Sequence, residues 1–174
     1  MNQPPTTNAA PKVAILMGSD TDLPVMQHAA RQLQKFGIPY EMDIISAHRS
    51  PGRTAAFARE ARGRGLRVII AGAGAAAALA GALAAETTLP VIGVPLATSP
   101  LSGFDALLST AMLPAGVPVA TVAVGEGGAT NAAVLAAQML ALSDETLAAK
   151  LVDYKRELEQ KVLEKSAKLK AQAS

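Results

Sequence analysis

Short apolar runs alternate with longer amphipathic stretches along most of the chain. The runs are nearly continuous in hydrophobicity, which is typical of strands buried on both faces of a parallel sheet. The stretches between them repeat apolar residues at helical spacing, as at Leu23, Met26 and Ala30. The pattern therefore predicts five strands, at Lys12–Met17, Tyr40–Ser46, Leu66–Ala71, Pro90–Pro95 and Val117–Val124.

Glycine, proline and polar residues separate each predicted strand from the helix that follows it. Regular alternation of strand and helix favours an α/β fold with a parallel, doubly wound sheet and right-handed crossovers. The predicted helices are Leu23–Phe36, Pro51–Arg64, a very alanine-rich segment that begins at Gly72, Asp105–Leu113 and Asn131–Leu142.

The two ends of the chain differ from the α/β domain, which we place at residues 12–143. Residues 144–174 carry seven basic and six acidic residues and are predicted to form an amphipathic helical arm. Their balanced charge favours docking on another subunit over a membrane surface, and a fully solvated tail is the alternative. Residues 1–11 are polar, contain prolines and lack an apolar core, so we expect a disordered arm rather than a signal peptide. The apolar stripe of the C-terminal arm consists of Leu147, Leu151, Tyr154, Leu158 and Val162.

Composition narrows the class of protein further. Half of the 174 residues are hydrophobic but only 3% are aromatic, so we expect burial between subunits of a homo-oligomer. The net charge of +2 comes without a basic block or an aromatic platform, which argues against a nucleic-acid partner.

The uncharged segment Val68–Ala85 is mostly alanine and glycine, so we interpret it as strand and buried helix, not a membrane span. Without cysteine, and with two distant histidines, we expect neither a disulfide nor a metal site in a cytoplasmic protein.

The end of the second predicted strand concentrates the most reactive side chains. Ser46, His48 and Arg49 follow it within a few residues, just before a proline that can begin a helix. Ligands of open α/β sheets bind beyond the carboxyl ends of the strands, where an imidazole can carry a proton and a guanidinium can pair with phosphate. The alternative for His48 is a turn imidazole that hydrogen-bonds to backbone. The other histidine, His28, lies inside a helical pattern and is interpreted as a surface residue.

Two turns are candidate anion or nucleotide sites. Gly18–Asp22 joins the first strand to the first helix, so its amides suit an anion, although Ser19 and Asp22 are also common capping residues. Gly72–Ala77 fits a loose dinucleotide-binding pattern after a strand. That pattern lies on the third strand instead of the first, and no acidic residue ends the next strand, so it carries little weight.

Six short motifs follow one another along the chain: Gly18–Asp22, Ser46–Pro51, Ala71–Gly74, Leu89–Pro95, Leu101–Asp105 and Asn131–Ala133. Their order resembles that of the PurE family, the 5-(carboxyamino)imidazole ribonucleotide mutases of bacterial purine synthesis. The resemblance covers roughly Val13–Leu142 and is to the class I type. It implies a flavodoxin-like three-layer sandwich that assembles into an octamer.

The resemblance implies a reaction and a role for each matching residue. A carboxylate moves from the exocyclic nitrogen to the ring carbon of an aminoimidazole ribonucleotide, without ATP, metal or organic cofactor. His48 would be the proton shuttle, and Asp22 would hold the ribose hydroxyls. Ser19, Ser46 and Arg49 would contact phosphate. Ala73, Gly74 and Ala75 would belong to a dry pocket that retains carbon dioxide.

The chain departs from the usual family pattern mainly in its glycine-rich loop. Ala75, Ala78 and Ala80 stand where the family commonly has glycine, histidine and proline, whereas Thr21 and Ser50 are mild exchanges. Two alternatives follow from these departures. One is a carboxylase that uses free carbon dioxide, although the serine and asparagine typical of its loop are absent. The other is a non-catalytic nucleotide-binding module, which the alanine at position 78 suggests.

Overall fold

A computed structural model of the chain describes residues 10–172. The predicted N-terminal arm, residues 1–11, therefore lies outside the described residues except for its last two. The strands are β1 (Val13–Met17), β2 (Tyr40–Ile44), β3 (Val68–Gly74), β4 (Val91–Leu96) and β5 (Ala120–Thr121). The helices are α1 (Leu23–Phe36), α2 (Pro51–Ala61), α3 (Leu79–Ala84), α4 (Phe104–Ala111), α5 (Glu126–Ala141) and α6 (Glu145–Gln172).

The five strands form one parallel sheet in the order β2-β1-β3-β4-β5. This order is that of a flavodoxin-like doubly wound sheet, so the predicted fold class is confirmed. Met17, the last residue of β1, lies opposite Ile44 of β2 on one side and Gly72 of β3 on the other. The loops that follow these three strands therefore begin at nearly the same level of the sheet.

Side chains of β1 and β3 alternate between two buried faces of the sheet. On one face, Leu16 and Ala71 belong to an apolar cluster that includes residues of α2 and α3. On the other face, Gly72 lies so close to Met26 of α1 that any Cβ at position 72 would overlap the methionine sulfur. Helices thus cover both faces, and the absence of a side chain at position 72 lets α1 approach the sheet.

Two predicted boundaries were wrong in the glycine-rich segments. The third helix does not begin at Gly72, because Gly72, Ala73 and Gly74 continue β3 and pair with β4. α5 begins at Glu126, five residues before the predicted start at Asn131. Gly127 and Gly128 lower the helix propensity of this first turn, and position 128 requires glycine because any Cβ there would overlap the carbonyl oxygen of Ala123.

The last strand is also shorter than predicted, since only Ala120 and Thr121 of the stretch Val117–Val124 form β5. It is an edge strand that pairs with β4 alone. Val117 instead closes a turn, with its N–H donating to the carbonyl of Pro114.

The chain divides into two compact units, one up to Ala136 and one from Ala137. In the second unit the predicted C-terminal helix is present as α6, and Asp144 caps it by accepting a hydrogen bond from the N–H of Leu147 at 3.0 Å. Large apolar side chains along α6, such as Val162 and Leu169, are exposed. No helix within residues 10–172 is long and apolar enough to cross a membrane.

Candidate active site

The loops after β1, β2 and β3 surround a cavity of about 370 Å³. Thr98, which lies two residues beyond the end of β4, also lines this cavity. The cavity lies beyond the carboxyl ends of the strands at the point where the strand order reverses, between β1 and β3. Ala75, predicted for the dry pocket, does not line the cavity. The seven other residues predicted for the site do line it, namely Ser19, Asp22, Ser46, His48, Arg49, Ala73 and Gly74.

The turn after β1 is held by reciprocal hydrogen bonds between its own residues. The Asp22 carboxylate accepts from the N–H of Ser19 at 3.0 Å, and the Ser19 hydroxyl accepts from the N–H of Thr21 at 3.4 Å. This arrangement is a capping box on the short 3-10 turn Asp20–Asp22, which precedes α1. The capping interpretation is therefore correct for Ser19 and Asp22, and the same two residues also line the cavity.

Asp22 is a buried acid at the wall of this cavity, with 5% of its surface exposed. Burial raises the pKa of its carboxyl above the ordinary value of 3.8, because the charged form loses water. Hydrogen bonds from the backbone of Ser19 and Gly18 favour the charged form and offset part of this effect. The carboxyl is thus fixed by backbone donors while its cavity-facing side suits hydroxyl donors of a ligand.

The loop after β2 is tied to the turn after β1 through Arg49. Its Nη2 donates to the carbonyl of Gly18 at 2.7 Å, and its Nε donates to the Ser46 hydroxyl at 3.3 Å. The backbone N–H of Arg49 also donates to the Ser46 hydroxyl, at 3.2 Å. A guanidinium held in this way keeps its positive charge at the cavity edge. A second depression of about 400 Å³ adjoins the cavity and shares Gly18, Ser19, Ser46 and Arg49 with it.

His48 is exposed at the cavity, and its imidazole makes no hydrogen bond to another residue in the described range 10–172. The alternative of a turn imidazole bonded to backbone is therefore not observed. His28 lies elsewhere, on α1, with its Nε2 3.4 Å from a carboxylate oxygen of Glu126 and 31% of its side chain exposed. Of the two histidines, only His48 is placed to reach a ligand in the cavity.

The segment after β3 forms an apolar side of the cavity. Ala73, Ala76, Ala78 and Leu79 line it, and none of these side chains can donate or accept a hydrogen bond. Ala75 adopts a left-handed backbone with φ of +49°, a conformation that costs energy for any residue with a Cβ. Such a strained turn brings the backbone of this segment to the cavity.

Sequence reasoning gave no role to seven other lining residues, namely Gly18, Thr21, Ala47, Ala76, Ala78, Leu79 and Thr98. Thr21 could have been predicted as a lining residue, because it belongs to the turn Gly18–Asp22 that was already considered as an anion site. Thr98 lies in a stretch without a motif, and only its position after β4 relates it to the site. Within residues 10–172 no group of three or more histidine, aspartate or glutamate side chains could hold a metal ion.

Comparison with known proteins agrees with this geometry. The sequence pattern of the AIR carboxylase family matches residues 12–161. The N5-carboxyaminoimidazole ribonucleotide mutase of Thermotoga maritima is 52% identical over 159 residues, which cover 91% of this chain and 92% of that protein. The mutase of Bacillus subtilis is 51% identical over 159 residues, with coverage of 91% and 98%.

A carboxylase and a crystal structure are also similar. The phosphoribosylaminoimidazole carboxylase of Candida glabrata is 48% identical over 161 residues, which span 92% of this chain but 28% of that protein. The crystal structure of Treponema denticola PurE superposes with a TM-score of 0.81 at 31% identity, covering 91% of this chain and 98% of that one. The family match, the identity above one half and the shared fold together place the chain in the AIR carboxylase family, as the resemblance to PurE indicated.

Proposed function

We propose that the chain is an N5-carboxyaminoimidazole ribonucleotide mutase of purine biosynthesis, an isomerase. It moves the carboxylate of 5-carboxyamino-1-(5-phospho-ribosyl)imidazole from the exocyclic nitrogen to the ring carbon. The observation that carries the proposal is the meeting of His48, Arg49 and Asp22 in one cavity. Relatives named for this activity match this chain over about nine tenths of its length and over more than nine tenths of their own.

The polar side of the cavity would hold the phosphate and ribose of the substrate. Ser19, Ser46 and Arg49 supply two hydroxyls and a guanidinium, which are the donors that a phosphate monoester requires. Asp22 would accept hydrogen bonds from the ribose hydroxyls, since its other contacts come from backbone N–H groups. Because these residues belong to two loops already joined by Arg49, substrate binding needs little rearrangement.

His48 would carry the proton between the two halves of the reaction. In the first half, the bond between the exocyclic nitrogen and the carboxyl carbon breaks, carbon dioxide leaves, and the nitrogen gains a proton. In the second half, the ring carbon attacks carbon dioxide and then loses its proton. One imidazole that gives the first proton and takes the second returns to its starting state, with no net redox change. An imidazole without a protein hydrogen bond is free for this exchange.

The apolar side would keep carbon dioxide near the ring between these two halves. Carbon dioxide has no net charge or dipole, so side chains such as Ala73, Ala76 and Leu79 offer it contact without competing donors. Gly74 lets the backbone approach without bulk. A site that excludes water here also limits the escape of the intermediate into solvent.

A carboxylase that takes up free carbon dioxide is the nearest alternative, and it is not favoured. The Candida carboxylase corresponds to this chain over 28% of its own length, whereas the two bacterial mutases correspond over more than nine tenths of theirs.

We further propose that the enzyme acts in the cytoplasm as a homo-oligomer, an octamer, with residues 144–174 packed on a neighbouring subunit. Support comes from exposed apolar side chains, including Met112 just after α4, with 78% of its surface exposed, and Val162 on α6, with 66% exposed. Sedimentation of a Leu158→Glu, Val162→Glu variant should reveal a smaller particle than that of a Lys165→Gln control. An unchanged profile would contradict the docking of the arm.

An ultraviolet assay of the purified protein without ATP or metal tests the reaction. The carbamate substrate is compared with aminoimidazole ribonucleotide plus bicarbonate. Fast conversion of the carbamate alone is the expected result. Activity only at high bicarbonate would indicate a carboxylase, and binding without turnover in either arm would indicate a non-catalytic nucleotide-binding module.

A further inference from the structure

The two sides of the cavity differ in their supply of hydrogen-bond donors. The loops after β1 and β2 contribute hydroxyl, carboxylate, imidazole and guanidinium groups. The end of β3 and the segments that follow β3 and β4 contribute Ala73, Gly74, Ala76, Ala78, Leu79 and Thr98. Among the described residues that line this second side, Thr98 has the one polar side chain.

Thr98 is fixed against the backbone of Gly74. A Cβ built at position 74 would coincide with the Thr98 hydroxyl and would also press on the carbonyl of Leu96. Gly74 and Leu96 are the last pair in the parallel pairing of β3 and β4, and Thr98 follows this pair by two residues. Gly74 therefore leaves room for a hydroxyl, which reaches the cavity wall at this point.

The Thr98 hydroxyl makes no hydrogen bond to any other residue that the structure describes, and the residue is exposed. It is thus a free side-chain donor on a side of the cavity where the other side chains are apolar. A neutral ligand group would not need a donor there. An anionic group placed against this side would lose water and gain nothing in return unless a donor met it.

The proposed reaction has two anions to place, and the polar side would take the phosphate. The second is the carboxylate, which sits on the exocyclic nitrogen of the substrate and on the ring carbon of the product. We infer that the Thr98 hydroxyl donates a hydrogen bond to this carboxylate and so distinguishes carboxylated from uncarboxylated nucleotide. This inference rests on the proposed function and adds a substrate contact to it.

The inference predicts a selective loss of affinity. Thr98→Val keeps the shape of the side chain and removes the donor, while Thr98→Ser keeps the donor. Calorimetry would measure binding of 5-aminoimidazole ribonucleotide with and without the carboxylate on its ring carbon. Thr98→Val should bind the carboxylated nucleotide about tenfold more weakly than the wild type, the size expected for a hydrogen bond to a charged group. Its affinity for the uncarboxylated nucleotide should stay the same, and Thr98→Ser should bind both as the wild type does.

The outcomes separate this inference from the proposed function. If wild type binds both nucleotides and Thr98→Val weakens both equally, or weakens neither, the contact with the carboxylate is wrong and the proposed function stands. If wild type binds neither nucleotide, the proposed function fails and the inference fails with it. Thermal unfolding of both variants identifies loss of fold. If Thr98→Val does not fold, Thr98→Ala replaces it, since alanine also lacks the donor and adds no bulk beside Gly74. A lower affinity of Thr98→Ala for the carboxylated nucleotide alone would support the contact, and an equal or unselective change would overturn it.

Discussion

The two sides of the cavity are built on opposite principles. The side formed after β1 and β2 is a network in which Arg49 joins Ser46 to the carbonyl of Gly18, and Asp22 accepts from Ser19. The side formed after β3 has no side-chain network, and its shape depends on small residues and the strained backbone of Ala75. We propose a division of labour between the two sides. The first side binds the nucleotide and moves the proton, and the second holds carbon dioxide until the ring carbon attacks it.

Replacement of His48 should have the largest effect on rate. The variant His48→Asn keeps a polar side chain but removes the group that gives and takes the proton. We expect kcat to fall about 10²- to 10⁴-fold, as for loss of a general acid-base group, with substrate affinity nearly unchanged. Steady-state kinetics and calorimetry would measure the two quantities. His28→Asn is the matched control, because His28 lies outside the cavity. Turnover of His48→Asn close to that of the wild type would show that another group carries the proton.

Replacement of Arg49 should weaken binding more than it slows the chemical step. Arg49→Ala removes a charged donor and the link to Gly18, so we expect KM to rise about 10- to 100-fold. The control is Arg53→Ala, since Arg53 pairs with Asp43 nearby and does not line the cavity. A fall in kcat with no change in KM would contradict the anchoring role of the polar side.

On the apolar side of the cavity, a methyl group added at position 74 should destabilise the packing of Thr98 against Gly74. Gly74→Ala would place its Cβ on the Thr98 hydroxyl, so we expect the free energy of unfolding to fall by about 1–3 kcal/mol. Urea denaturation would measure this change. Gly52→Ala is the control, because position 52 lies in α2 with open space around it. If both variants were equally stable, the close approach of Thr98 to Gly74 would not exist in solution.

The strain at Ala75 can be relieved without changing the polar side. Ala75→Gly removes the Cβ that opposes a positive φ, so we expect the free energy of unfolding to rise by roughly 1 kcal/mol. Ala76→Gly, at a neighbouring position with negative φ, should not stabilise the protein. Thermal unfolding compares the two variants, and a destabilised Ala75→Gly protein would mean that the loop is not held in this conformation.

The smallest expected effect concerns the charge of Asp22. Burial raises the pKa of this carboxyl in the folded state, so the folded protein takes up the proton more readily than the unfolded chain. The stability that Asp22 contributes is fully present below pH 3.8 and is lost as pH rises through the raised pKa. The free energy of unfolding of Asp22→Asn minus that of wild type should therefore increase across this interval and level off above it. Urea denaturation from pH 3.5 to 7 measures the difference, and a decrease with pH would contradict the burial argument.

The polar side could be predicted from the sequence, and much of the apolar side could not. Ser19, Asp22, Ser46, His48 and Arg49 belong to short connections whose place is fixed once the strands before them are located. Because the carboxyl ends of parallel strands meet at one edge, these residues had to come together.

The positions of residues on the apolar side depend on tertiary contacts, which no local sequence pattern indicates. Thr98 lies next to Gly74, which follows β1 by more than fifty residues and precedes Thr98 by a whole helix and strand. The sequence does not indicate the positive φ of Ala75, because alanine is typical of helices. The run of alanines instead predicted a helix from Gly72, where the structure continues β3. The strand continued instead, since pairing with β4 outweighs helix propensity.

The division of labour is tested most directly by following the origin of the transferred carboxylate. Unlabelled carbamate substrate is converted in buffer that contains ¹³C-bicarbonate, and mass spectrometry measures the label in the product. If the apolar side retains carbon dioxide until the ring carbon attacks it, the product should carry almost no ¹³C. Label at the level of the surrounding bicarbonate would show that carbon dioxide leaves the cavity before it is transferred, and would contradict the proposed mutase mechanism.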